Sequence, residues 1–214
     1  MKKNDFLWVI TLLAIVIFLI HPKTHGIFIE FTKTKPYIGG FVKFFVLATM
    51  GELLARRIST SNWEIPSGIL KRAFIWGIIG IMIVLVFNIF ASGVKTALDK
   101  NLLPFKNSNL AFAFFTSSIM NLTFAPVMMA SHRITDTYID LSYENKSIKL
   151  NDVLNNIDWN SFISFVILKT IPFFWIPAHT ITFLLQSEYR VIMAAMLSIA
   201  LGAILAFAKK KNTN

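Results

Sequence analysis

The stretch AFIWGIIGIMIVLVFNIFASGV, from Ala73 to Val94, decides the fold of this chain. It has 22 residues and no charged side chain. A helix needs about 20 consecutive apolar residues to cross the hydrocarbon core of a bilayer. The stretch therefore predicts a transmembrane helix, and an integral membrane protein around it.

Further apolar segments, separated by polar connections, repeat this pattern along the 214 residues. Of the chain's 21 basic and 11 acidic residues, only Lys43, Glu52 and Lys169 lie inside the apolar segments. Such segregation predicts an all-α polytopic membrane helix bundle that forms one integral membrane domain over 1–214. The further segments are 6–20, 37–54, 110–131, 161–186 and 191–208.

We expect about six transmembrane helices. The range is four to six, because two of the segments, 6–20 and 37–54, are less regular than the others. Residues 1–20 are similar to a signal peptide, but the polar sequence after Ile20 has no small-residue cleavage site. We therefore expect an uncleaved N-terminal anchor helix. The segment 37–54 is interrupted by two charged residues, so its crossing is the less regular one.

The composition restricts the class of partner. The chain is 55% hydrophobic and 15% charged, with a net charge of +10. A nucleic-acid patch would explain the charge but not the apolar content, so we expect the lipid bilayer and its anionic headgroups as partners and no nucleic acid. The absence of cysteine excludes disulfides, thiolate metal sites and cysteine nucleophiles.

The short connections predict the orientation. With the N-terminus inside, the inner connections carry 12 Lys and Arg and the outer ones carry 7. The positive-inside rule then places both termini on the cytoplasmic side. The 16 Lys against 5 Arg, with no organellar presequence, favour a bacterial inner membrane.

Ionisable side chains inside the apolar segments are the first candidates for function, because charge in hydrocarbon is costly. One interpretation treats them singly, with lysines snorkelling to water and Glu52 paired to Arg56 four residues later. The other is a shared polar lane around a hydrated path, made electropositive by its lysines. Its candidate members are Lys43, Glu52, Asn88, Asn121, Lys169 and His179.

Prolines interrupt two of the predicted helices. Pro126 lies in the fourth apolar segment, and Pro172 and Pro177 lie five residues apart in the fifth. Each proline removes a backbone donor, so we expect helix kinks there. In transporters, broken helices often line substrate sites.

The last apolar segment carries small residues at intervals of four. They form a groove that admits a second helix at close range. Packing within the chain and homo-oligomerisation are both consistent with this pattern. The residues are Ala194, Ser198, Gly202 and Ala206.

The longest polar connection, 132–160, should begin with an amphipathic helix at the membrane interface. On its first turns His132, Asp136 and Asp140 are spaced four apart. This spacing suits a metal site or an acid–base pair, and it also suits a solvated helix face. Since the sequence has no Walker, HExxH, GxSxG or dinucleotide motif, we expect no enzyme activity, catalytic residue, metal or cofactor.

The order of landmarks over 36–208 resembles the Mpv-seventeen family of small peroxisomal and mitochondrial membrane proteins. Its members are thought to form channels or to support membrane homeostasis. His179 and Thr182 stand where that family has amide side chains. The residues that carry the resemblance are Gly51-Glu52, Arg72, Leu98-Asp99-Lys100, Pro104, Phe124-Ala125-Pro126, Trp175, His179, Thr182, Phe183 and Arg190.

These patterns together predict a small channel-like or solute-permeation protein without covalent catalysis. One alternative is the substrate-binding subunit of a multi-subunit importer. A second is a membrane-embedded enzyme acting on lipid headgroups through His132, Asp136 and Asp140.

Overall fold

The computed structural model describes residues 3–144 and 147–211, with side chains described as far as Ile204. Within these ranges all regular structure is helical, which confirms the all-α prediction. The helices, numbered in chain order, are α1 Lys3–Ile20, α2 Pro22–Thr34, α3 Pro36–Thr60, α4 Ile69–Asp99, α5 Asn109–Glu144, α6 Leu150–Asn155, α7 Trp159–Leu184 and α8 Ser187–Lys211.

Six helices in the described part of the chain are long and apolar enough to cross a membrane: α1, α3, α4, α5, α7 and α8. They coincide with the six apolar segments, including the two less regular ones, so the predicted polytopic bundle is confirmed. Asp5 of α1 pairs with Arg57 near the end of α3, and Gly202 of α8 packs on Gly51 and Ala55 of the same helix, so the described parts of the two terminal helices lie at the same end of the bundle. We call this the terminal end, and the other the distal end.

The short helix α2 was not predicted, since residues 22–34 were assigned to a connection. The residues at its start explain why a helix begins there. Pro22 suits the first helical turn, where its missing N–H is not needed. The His21 side chain accepts a hydrogen bond from the Lys23 backbone N–H at 3.3 Å. α2 then covers part of the distal end of the bundle.

The polar connection 132–160 is largely helical. α5 has 36 residues and continues to Glu144, so the first part of the connection extends the fourth membrane helix, as expected. The short α6 follows, and the Asp158 carboxylate accepts a hydrogen bond from the Ser161 N–H at 2.9 Å to cap α7.

The prolines act differently in the two helices. α5 passes through Pro126 as one α-helix. In α7, the 14 residues Phe162–Trp175 are π-helical, with Pro172 inside this stretch and Pro177 just after it. Just after the change of helix type in α7, the Ile176 carbonyl accepts hydrogen bonds from the hydroxyls of Ser117 and Thr180, both at 2.7 Å. The Ser117 hydroxyl thereby links α5 to α7 beside the two prolines.

The centre of the bundle is α3, which packs against both α4 and α8. Gly40 and Gly80 form the α3–α4 crossing, and a Cβ atom built on Gly40 would lie 2.6 Å from the Gly80 carbonyl oxygen. These two glycines therefore allow direct backbone contact between the helices.

The small residues of α8 pack against α3 of the same chain. A Cβ atom on Gly51 would lie 3.0 Å from the Ser198 carbonyl oxygen, and one on Gly202 would lie 3.0 Å from the Gly51 carbonyl oxygen. Ala194 is buried in the same core. The described part of this groove is thus filled by α3 of the same chain. Ala206 lies beyond the described side chains.

The α3–α4 crossing gives a direct test of the fold. We expect Gly80→Ala to lower the free energy of unfolding by about 1–3 kcal/mol, because the new methyl group overlaps the Gly40 carbonyl. The measurement is thermal unfolding of the purified protein in detergent.

The matched control is Gly93→Ala on the same helix. A Cβ built on Gly93 has no described atom within 4 Å apart from its two chain neighbours and the backbone of its own helix. Because alanine favours helix by about 1 kcal/mol over glycine, this variant should melt at the same temperature or higher. Equal loss of stability in both variants would show that the crossing is not tightly packed.

Candidate functional site

A cavity of about 350 Å³ lies inside the bundle, between α3, α4, α5, α7 and α8. Its apolar wall is rich in aromatic rings and methionines, including Phe44, Phe124 and Met128. Polar side chains from α3, α5, α7 and α8 complete the lining, and we call this set the polar wall. They are Glu52, Asn121, His132, Arg133, Asp136, Thr170, His179 and Ser198.

The polar wall is organised around Arg72 at the start of α4, whose side chain is only 3% exposed. Its guanidinium lies 3.5 Å from Glu52 Oε1 on α3 and 3.0 Å from Asp136 Oδ1 on α5. It also donates a hydrogen bond to Asp140 Oδ1. A buried guanidinium is tolerated only when carboxylates compensate its charge. This ion-pair cluster therefore connects α3, α4 and α5 at the terminal end.

His132 extends the cluster along α5. Its Nδ1 lies 3.4 Å from Asp136 Oδ2, and its ring packs on Trp76 with 4.2 Å between centroids. The spacing of four between His132, Asp136 and Asp140 was consistent with a solvent-exposed helix face. Instead His132 and Asp136 face Arg72 and the cavity, and Asp140 is about half exposed.

A second polar group lies deeper in the bundle. Asn121 Nδ2 is 3.1 Å from His179 Nδ1 and also donates to the Ser117 carbonyl at 2.8 Å. The His179 ring stacks on Trp175 and meets Phe87 edge-on. Both Asn121 and His179 are buried and line the cavity, so the polar wall extends away from the ion-pair cluster.

Several buried polar atoms of the lining are unpartnered within the described part of the chain: Glu52 Oε2, Trp76 Nε1, His132 Nε2 and Trp175 Nε1. Asp136 Oδ1 also makes no hydrogen bond there, although it lies in the ion pair with Arg72. Burying a polar atom without a partner is costly, so such atoms mark places where a polar ligand gains free energy.

The structure divides the predicted polar lane. Glu52, Asn121 and His179 line the cavity. Glu52 pairs with Arg72 on α4, and not with Arg56 as its spacing suggested.

The other three candidates lie elsewhere, so the prediction of an electropositive path is corrected. The Lys43 ammonium points at α2, donating to Thr32 Oγ1 at 2.8 Å. Asn88 donates to the Val84 carbonyl of its own helix at 2.7 Å. Lys169 is exposed on the outer surface of α7. Lys43 is drawn to α2, and the rotation of α7 about its axis turns Lys169 outward. Hydropathy contains no information on either.

Sequence reasoning missed the indoles of Trp76 and Trp175 as site residues and gave Arg72 no role of its own. A signal was available for Arg72, because a charge at the start of an apolar helix requires a partner. The partner could not be identified, since Asp136 is more than sixty residues away in the chain.

Arg190 has a structural role at the distal end. Its Nε donates to the Leu185 carbonyl at 3.0 Å and its Nη2 to the Phe183 carbonyl at 3.3 Å. The guanidinium also lies over the rings of Phe112 and Phe183. Arg190 thus satisfies carbonyl groups at the end of α7, which have no partner within the helix.

No protein-family model, curated protein or solved structure matches this chain. The described residues also contain no group of three or more His, Cys, Asp or Glu side chains that could hold a metal ion.

Replacing Arg72 tests the ion-pair cluster. We expect Arg72→Met to lower the free energy of unfolding by about 3–5 kcal/mol, because it leaves buried carboxylates without compensation. Thermal unfolding in detergent measures the loss. Adding Asp136→Asn should recover part of it, since one uncompensated charge is removed.

The control is Lys71→Met at the neighbouring position, where the side chain is exposed. It should unfold within about 0.5 kcal/mol of the original protein. If Arg72→Met and Lys71→Met were equally stable, the cluster would not hold the helices together.

Proposed function

We propose that this integral membrane protein binds a small solute in the cavity and permits its permeation, without covalent catalysis. The observation that carries the proposal is that Glu52, Trp76, His132 and Trp175 line one cavity and that each has a buried polar atom without a partner among the described residues. They come from four helices, so they are brought together only by the fold. A solute with hydrogen-bonding groups would satisfy them.

The size of the cavity supports a small organic solute. Its 350 Å³ lies at the lower end of the usual range of ligand pockets, about 300–1,000 Å³. Most of its lining is apolar, with a few convergent polar groups, which is the usual composition of such sites. A bare inorganic ion would leave the aromatic and methionine wall without a function.

The depth of the polar wall supports permeation. His132 and Asn121 are both on α5, and their separation along the helix is about 16 Å at 1.5 Å per residue. This is about half of a hydrocarbon core of about 30 Å. Toward the distal end, the buried rings of Phe87 and Phe183 pack at 4.9 Å between centroids. In our proposal this aromatic pair separates the cavity from the far side until the helices move.

The construction of α7 and the sequence resemblance both favour this function. α7 changes from π- to α-helical geometry beside the cavity, at Trp175 and Ile176, and interrupted helices are common at transport sites. The Mpv-seventeen family, which the chain resembles, is associated with channels and membrane homeostasis. We also propose a bacterial inner membrane with cytoplasmic termini, on the charge bias of the connections.

One observation favours an enzyme as the second candidate. His132 Nδ1 lies 3.4 Å from Asp136 Oδ2 beside the cavity, an arrangement that could serve as an acid–base pair for lipid headgroups. However, Asp136 already forms an ion pair with Arg72, which favours a structural role for its carboxylate. A substrate-binding subunit of an importer would use the same cavity, and co-purification with partner subunits would distinguish it.

The absence of cysteine allows a direct test of permeation. We expect liposomes that contain Ser198→Cys to swell in isosmotic solutions of small organic solutes. A methanethiosulfonate reagent should then abolish the swelling, because the added group fills the cavity that Ser198 lines. Light scattering of the vesicles measures the rate.

The matched control is Ser147→Cys, which places the same thiol on an exposed connection. Its labelling should leave the swelling rate unchanged. No swelling above empty liposomes, or equal inhibition through both cysteines, would contradict permeation through the cavity.

A second prediction distinguishes permeation through the cavity from permeation along the polar lane that the sequence predicted. Because Lys169 is exposed on the outer surface of α7, Lys169→Leu should leave both the permeation rate and its charge preference unchanged. The same swelling assay, with solutes of opposite charge, measures this. A changed preference would show that the path runs along the other face of α7.

A further inference from the structure

We infer that the solute is a small organic amine, recognised as a cation with an apolar body. This inference rests on the proposed function, since it identifies the class of solute that the same cavity would bind. It is argued from the charges of the polar wall, from its unpartnered atoms and from its aromatic rings.

The buried charges around the cavity have a negative excess. Glu52 and Asp136 contribute two carboxylates against the one buried guanidinium of Arg72. Asp140 also pairs with Arg72, but its side chain is half exposed and lies outside the cavity lining. Glu52 and Asp136 line the cavity. Glu52 Oε2 makes no hydrogen bond within the described residues and can accept one from a solute. Asp136 Oδ1 lies 3.0 Å from the Arg72 guanidinium and is already paired.

Two further arginines lie near the cluster, and neither reverses this balance inside the cavity. Arg133 lines the cavity but is exposed, so solvent screens its charge. Arg56 is partly exposed, one turn from Glu52 at the terminal end of α3. A charge in contact with solvent acts more weakly at a distance than buried carboxylates act on a group beside them.

The aromatic lining suits a cation. The rings of Trp76 and Trp175 border the cavity together with Phe44 and Phe124. The face of an aromatic ring attracts an ammonium group, most strongly when the ring is an indole. The same rings provide apolar contact for the body of an organic amine, which a metal cation would not use.

The remaining unpartnered atoms specify a further feature of the solute. The indole N–H groups of Trp76 and Trp175 are donors without a partner among the described residues. An amine that also carries a hydroxyl, ether or carbonyl oxygen would accept from one of them while its ammonium donates to Glu52. An anion would instead meet the carboxylates of Glu52 and Asp136, which is unfavourable.

The experiment uses three probes of similar shape: 2-phenylethylamine, 2-phenylethanol and 3-phenylpropionate. Each is tested for protection of Ser198→Cys against a small uncharged thiol reagent, with labelling followed by mass spectrometry. We expect the amine to give half-protection at a concentration at least about tenfold below that of the alcohol, with the carboxylate weakest.

Variants made in the Ser198→Cys background show which side chains cause the preference for the amine. Glu52→Gln should remove the advantage of the amine over the alcohol, and Arg133→Gln should strengthen protection by the amine. The control is Glu188→Gln at the distal end, where the carboxylate pairs with Lys33 at 3.2 Å, and it should change nothing. Thermal unfolding of each variant shows whether it is folded. If Glu52→Gln does not fold, Asp136→Asn replaces it as the variant that removes a carboxylate of the cavity.

The outcomes separate the inference from the proposed function. Equal protection by the amine and the alcohol would overturn the amine class while leaving solute binding in place. Strongest protection by 3-phenylpropionate, lost in Arg133→Gln, would also overturn it and indicate an anion site. Absence of protection by all three probes, together with absence of solute-induced swelling, would overturn both proposals.

Discussion

The charge of Arg72, buried near the start of a membrane helix, is the constraint on which the rest of the structure depends. An isolated guanidinium in that position would be too costly, so α3 and α5 must each supply a carboxylate at the same depth. This requirement sets the mutual position of three helices at the terminal end. It also places Glu52 and Asp136, which Arg72 cannot satisfy completely, on the wall of the cavity.

The packing at the centre of the bundle completes the cavity. Glycines allow α3 to meet α4 and α8 with direct backbone contact, which brings Glu52 and Ser198 to the same space. On the opposite side, the π-helical part of α7 presents Thr170 and Trp175 to that space. Close contact between some helices and a cavity between others are therefore two results of the same arrangement of small and large side chains.

The candidate site could be predicted from the sequence only in part. Glu52, Asn121 and His179 were expected to share a polar path, and they do line one cavity. Lys43 and Lys169 were expected beside them, but a helix has several faces and a single charged residue does not show which one is inward. Lys43 turned to α2, a helix that hydropathy did not predict, and Lys169 faces outward.

Hydropathy and charge were sufficient to establish an all-α membrane bundle and its six long helices, because the bilayer imposes a length and an apolar composition on each segment separately. The spacing of His132, Asp136 and Asp140 likewise established that they share a helix face. Their partner Arg72, the indoles of Trp76 and Trp175, and the cavity itself follow from helix rotation and contact between distant segments. Those depend on side-chain packing over the whole bundle, which no local pattern contains.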